Sequence, residues 1–142
     1  MRHGFTLLEL TGVLILLALA ASVSFPVGQT VRERLAVIGA REEFIGLITR
    51  ARGEALLRGG SSVIVVQSPA EIRIKAGGQV LHRVDIGGTW GTDLVLSGGR
   101  ASVELRFDAS GLGSMAARSV TLIRGSAVSR LIISAYGRVR RE

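Results

Sequence analysis

An apolar run of about twenty residues near the N-terminus constrains this chain more than any other feature. It occupies residues 5–24 within MRHGFTLLELTGVLILLALAASVSFP. As a helix rising 1.5 Å per residue it would be about 30 Å long, the thickness of a bilayer's hydrocarbon core. One residue is out of place. Glu9 costs roughly 2.5–3.5 kcal/mol at the middle of a membrane helix, where leucine would cost nothing. A chain that keeps a carboxylate there needs a reason.

Three readings compete. The first is a plain membrane anchor. The second is a secretory signal, with a basic start, an apolar stretch and an A-x-A site at Ala18-Leu19-Ala20, releasing a soluble domain after Ala20. Both work better without Glu9. The third starts from GFTLLEL, residues 4–10, which resembles the N-terminal signature of type IV prepilins and pseudopilins. Gly4 precedes the bond to be cut, Phe5 follows it, and Glu9 becomes the fifth residue of the mature chain. Pro26 stands where that family often carries a helix-kinking proline.

The resemblance implies a membrane peptidase that cuts after Gly4 on the cytoplasmic side and N-methylates Phe5. The apolar helix would stay attached and become the core of a filament. Cleavage creates an amine on Phe5, and in a packed filament that amine and the Glu9 carboxylate of a neighbour neutralise each other. Each charge is expensive alone in a low dielectric, so the pair would set the register between subunits. Charge counting adds little on orientation: Arg2 favours a cytoplasmic N-terminus, but Arg32 and Arg34 follow the span closely.

Past Pro26 the apolar residues change period. Val31, Leu35, Ile38, Ile45, Ile48 and Ala55 predict an amphipathic stripe with Phe44 and Ala51 beside it. Arg32, Glu33, Arg41, Glu42, Arg50 and Glu54 take the other face, and Gly59-Gly60 ends the helix. The remainder reads as short strands. SSVIVVQ is rich in β-branched residues. EIRIKA sets Ile72, Ile74 and Ala76 against Glu71, Arg73 and Lys75, and VELRF sets Val103, Leu105 and Phe107 against Glu104 and Arg106. SVTLIR and RLIIS follow. Glycine pairs at 77–78, 87–88 and 98–99 predict turns, while residues 80–96 leave the number of sheets open.

The predicted fold class is therefore α+β, a long N-terminal helix packed on one or two antiparallel sheets. In detail, residues 1–4 are a leader, 5–25 a transmembrane helix, 26–58 its amphipathic continuation and 59–142 a β-rich domain. The 142 residues leave room for that and no second domain. ARGEALLRGG at the helix end, the FDASG turn and the terminal IISAYGRVR are similar to H-type minor pseudopilins and FimT-like minor pilins. That resemblance covers essentially the whole chain. It implies a pilin-like fold, an inner-membrane protein crossing once, a cytoplasmic N-terminus and a periplasmic domain. The implied partners are other pilin or pseudopilin subunits and a prepilin peptidase.

No enzyme is legible. With no Cys, and with His3 in the leader and His82 in a strand-like run, no nucleophile and base pair is evident. No metal or cofactor is expected either. Asp85 and Asp93 read as turn caps and Trp90 as an anchor in the core or a loop. GLGSMA, residues 111–116, formally fits a dinucleotide-binding turn. A cofactor site also needs a following helix and an acid about twenty residues on. No Asp or Glu lies between Asp108 and Glu142, so this is a turn.

The net charge is +7, carried by arginine apart from Lys75. Such a balance attracts phosphates or simply lies on a solvated surface. Arg138, Arg140 and Arg141 crowd the C-terminus, and Arg118, Arg124 and Arg130 precede them. If Val139 points inward, Arg138 and Arg140 share the outer face. FimT-like minor pilins that take up DNA carry a similar G-R-x-R element, matched here by residues 137–140. The favoured function is a minor pseudopilin of type II protein secretion. The alternatives are a DNA-binding minor pilin and a secreted soluble domain.

Overall fold

The computed structural model describes residues 6–114 and 117–142, in the order α1 (Leu7–Arg58), β1 (Gly60–Val66), β2 (Glu71–Ala76), β3 (Gln79–Asp85), α2 (Ile86–Trp90), β4 (Asp93–Leu96), β5 (Ser102–Asp108), β6 (Arg118–Arg124), β7 (Ala127–Ile133) and β8 (Val139–Arg141). The chain divides into two compact units, one ending at Arg32 and one spanning Glu33–Glu142. Helix α1 contributes to both.

In the first unit the helix is predominantly apolar from Leu7 to Leu19, with Glu9 and Thr11 as exceptions, and its large side chains there are exposed. A helix of that kind packs against no core of its own chain and suits a lipid surroundings. By length and composition it can cross a membrane. The helix assignment runs through Pro26 without a break.

In the second unit α1 is the spine of the core. Its buried face is Ala36, Val37, Ala40, Phe44, Leu47, Ile48, Ala51 and Ala55, a ridge advancing by three or four residues per turn. This corrects the predicted stripe at its start. Val31, Leu35 and Ile38 are exposed, Leu35 by 61%, and Ile45 is only half-buried. The sequence pattern favours the bulkiest aliphatics, whereas half of the buried ridge is alanine, Ala36 and Ala40 at its start included, which lets backbones approach closely. Arg58, paired with Glu54 at 2.8 Å, lies in the last turn, and Gly59 at φ 77° leaves the helix as a left-handed cap.

The strands form two four-stranded antiparallel sheets, ordered β3-β2-β1-β5 and β4-β6-β7-β8. Their inner faces alternate as expected: Val63 and Val65, Ile72 and Ile74, Leu105 and Phe107, Leu94 and Leu96, Val120 and Leu122, Leu131 and Ile133 all join the α1 ridge in one cluster. The stretch left open in the sequence resolves into β3, α2 and β4. Gly87-Gly88 therefore lies in a short helix and not in a turn between strands. Asp85 caps that helix, accepting from the Gly88 N–H at 2.7 Å. Glu71 also departs from expectation. Its period-two position faces outward, yet the side chain is buried between Arg73 and Arg83, both of which donate to it.

Candidate functional site

Gly4 and Phe5, the predicted processing pair, lie outside the described residues. Glu9 is described, and it has a local partner. Its carboxylate accepts from the Thr6 N–H at 3.0 Å and the Thr6 hydroxyl at 3.2 Å, while the Thr6 hydroxyl accepts from the Glu9 N–H at 3.2 Å. Thr6-Leu7-Leu8-Glu9 is thus a capping box, in which cap and third-residue side chains satisfy each other's orphan backbone donors. The sequence reading of Glu9 missed this T-x-x-E signal. In a single chain the carboxylate closes the helix end through these bonds.

The C-terminal arginines do not act as one cluster. Val139 is half-buried against the core, so the outward positions on β8 fall to Arg140 and, two residues earlier, Arg138. Arg141 points back and meets Glu42 of α1 at 3.2 Å. Arg130 meets Glu142 at 3.3 Å. Arg124 donates to the Trp90 carbonyl, on the inner side of β6 with Val120 and Leu122. Arg118 is half-buried at the same strand's start. Among the described residues, the Arg138 and Arg140 side chains carry no ion pair.

What positions this tail is a knot of three distant segments. The Arg52 guanidinium lies over the Phe107 ring and donates through Nη2 to the Tyr136 carbonyl at 3.1 Å. Gly137 turns there at φ 76°, where a Cβ would come within 2.5 Å of a Phe107 ring carbon. Gly113 donates its N–H to the Tyr136 carbonyl at 3.2 Å, and a Cβ on it would sit 2.6 Å from the Gly137 nitrogen. Asp108 closes the same turn, accepting from the Ser110 N–H and hydroxyl and the Leu112 N–H. Those donors, the Ser110 hydroxyl foremost, hold its carboxyl below the usual range. Gly113 of GLGSMA thus serves close packing of two loops, and the next element is the strand β6.

Trp90 is an anchor, as its sequence context predicts. Its Nε1–H donates to Glu43, and its ring lies on Gly39 so closely that a Cβ there would collide with it. At the other side of α1, Glu33 accepts from the Ser126 N–H at 2.9 Å and hydroxyl at 3.0 Å, tying the β6–β7 hairpin to the helix. These bonds hold the Glu33 carboxyl below its ordinary value.

An open groove of about 410 Å³ is lined by Lys75, Glu104 and Arg106 with neighbouring glycines and serines. Arg106 pairs with Glu104 at 3.1 Å and, as the main cause, lowers its pKa. Among the described residues no three His, Asp or Glu side chains gather to hold a metal. No family model, curated protein or solved structure matches the chain.

Proposed function

We propose that this chain is a minor pseudopilin, a pilin-like structural subunit anchored once in the inner membrane with its domain in the periplasm. A prepilin peptidase would cut after Gly4 and methylate Phe5. The mature chain would then join the pseudopilus of a type II protein secretion system, without a catalytic role of its own.

One observation carries the reading: the exposed apolar segment and the spine of the domain core belong to the same helix, Leu7–Arg58. A signal sequence is a disposable segment, whereas this one continues directly into Val37, Phe44 and Ile48 of the core. The A-x-A site at residues 18–20 lies inside the helix, with its backbone hydrogen-bonded and not extended for a signal peptidase. The GFTLLEL signature at residues 4–10 supports pilin-type processing.

A second reading has its own support. Arg138 and Arg140 are exposed and lack ion pairs among the described residues, the disposition that suits phosphate contact by a DNA-binding minor pilin.

Intact-mass analysis of the mature chain tests the primary reading. The expected species begins at methylated Phe5; a chain beginning at Ala21 removes it.

A further inference from the structure

Strand β8 is shorter than the strand it borders. It pairs with β7 over Leu131–Ile133, and the Glu142 N–H donates to the Arg130 carbonyl at 3.0 Å where the pairing ends. No described strand covers the rest of that edge, residues 127–129. In an antiparallel ladder, residues two apart turn their backbone groups the same way. Val128 therefore presents its N–H and C=O on the side where Arg130 meets Glu142, and among the described residues neither group has a partner. Unpaired backbone groups on a strand edge are a template for a further strand.

This edge opens into a groove. A cleft of about 410 Å³ separates β7 residues 127–129 from helix α1, which lines it with Arg34, Val37, Ile38 and Arg41. A strand laid there in the line of β8 would turn alternate side chains toward Val37 and Ile38. The charges say which kind of strand. Arg34 and Arg41 lie one helical turn to either side of that apolar pair. Arg34 is exposed and has no ion pair among the described residues, and Arg41 meets its neighbour Glu42 at 2.8 Å. The acid at the end of the groove, Glu142, is turned to Arg130 at 3.3 Å. The lining is thus left with cationic donors suited to carboxylates.

A second copy of this chain is a poor source of such a strand. Of its eleven acids, every one but Glu142 lies in α1 or in a paired strand, so presenting one in a free extended segment would dismantle an element. Phosphates of lipid or nucleic acid accept hydrogen bonds but bring no donor for the Val128 C=O, whereas a peptide answers both Val128 groups. We propose that the groove between α1 and the open end of β7 is a strand-addition site, in which an extended acidic segment of another protein pairs with Val128 in the line of β8 and sets carboxylates on Arg34 and Arg41.

The probes are short capped peptides that alternate threonine with glutamate or with lysine, labelled and read by fluorescence anisotropy against the full-length chain in detergent. The glutamate peptide should bind and the lysine peptide should not. Only one edge of the peptide faces β7, so N-methylating either its threonine amides or its glutamate amides should abolish binding, and methylating the other set should leave it. Arg34→Glu should weaken binding severalfold, while Arg100→Glu, the same change at an exposed arginine of the β4–β5 loop, should change it little. Val128→Pro removes the edge donor at a position where an edge strand tolerates proline, and should also weaken binding severalfold. Trp90 emission checks that each variant is folded, and the methylated peptides test the same hydrogen bonds on the unaltered chain. No binding of the glutamate peptide, binding that survives both methylations, or equal losses from Arg34→Glu and Arg100→Glu would overturn the proposal. Self-association that Val128→Pro abolishes would place a second copy in the groove and overturn it as well.

Discussion

The guanidinium carbon of Arg52 lies 5.7 Å from the centre of the Phe107 ring, joining the end of helix α1 to strand β5. The same side chain holds the Tyr136 carbonyl, and Gly137 packs against the same ring. Arg52→Met keeps the aliphatic stem but loses the cation over the ring and the hydrogen bond. It should cost about 1–2 kcal/mol in a denaturant titration followed by Trp90 emission. Gly137→Ala should cost on the order of 2 kcal/mol, because it adds both a Cβ against the ring and a left-handed backbone penalty. A neutral Gly137→Ala would show that this packing does not constrain the fold.

Gly39 sits in the middle of α1, where alanine is worth about 1 kcal/mol in helix propensity. Trp90 reverses that expectation. Gly39→Ala should shift the emission of this single tryptophan to longer wavelength as the ring is displaced, with no gain in stability. In a Trp90→Ala background the same change should stabilise. A double-mutant cycle measures the difference, and additive effects would contradict the contact.

Glu71 carries the largest pH dependence visible in the domain. The Arg73 hydrogen bond, then that of Arg83, hold its carboxyl at about 2, against an ordinary 4.5. A depressed folded-state value stabilises the fold above the unfolded value, and that contribution is lost as pH falls from about 4.5 to about 2. With one arginine well exposed, solvent screening keeps the amount on the order of 1–2 kcal/mol. Glu71→Gln should lower stability at pH 7 and flatten the acid limb of the unfolding curve. An unchanged acid limb would assign that limb to other carboxylates.

The capping box allows two roles of Glu9 to be separated. Leucine removes both acceptor and charge, whereas glutamine keeps an acceptor for Thr6 and removes only the charge. If the carboxylate pairs with a neighbour's terminal amine, Glu9→Gln and Glu9→Leu both insert and both assemble poorly. Normal filament incorporation of Glu9→Gln, measured by cofractionation, would leave capping as its only role.

For the second functional reading, Arg138→Ala with Arg140→Ala should weaken duplex DNA binding by the detergent-solubilised chain. The slope of log affinity against log salt should fall by about 2, one increment per lost phosphate contact. Arg141→Ala should change little, since that side chain is engaged with Glu42. Equal losses from Arg141→Ala would point to general charge instead of an oriented pair.

Much of the fold is legible because local signals agree with tertiary packing. The alternation in EIRIKA and VELRF yields β2 and β5, and Gly59-Gly60 marks the end of α1. Legibility fails where packing outranks local pattern. The start of the α1 face is misphased because Ala36, Val37 and Ala40, not the large aliphatics at 31, 35 and 38, lie in the core. Glu71 occupies an outward register position but is enclosed by two arginines from β2 and β3, a pairing across strands that no single segment reveals. Sequence spacing separates Arg138 and Arg140 from their neighbours only by alternation, whereas the partners of Arg141, Arg130 and Arg124 (Glu42, Glu142 and the Trp90 carbonyl) are visible only in the folded chain. The convergence of Arg52, Phe107 and Gly137 spans 85 positions, from 52 to 137, and only the folded chain brings them together.

Ala36, Ala40, Ala51 and Ala55 hold the helix against its sheets through side chains of a single methyl group. Truncating one of these alanines to glycine costs about 1 kcal/mol of helix propensity, but the seam has no slack at all for growth. Substitution there is therefore opposed most strongly toward bulk, whereas the helix flank away from the seam takes larger side chains without disturbing the packing.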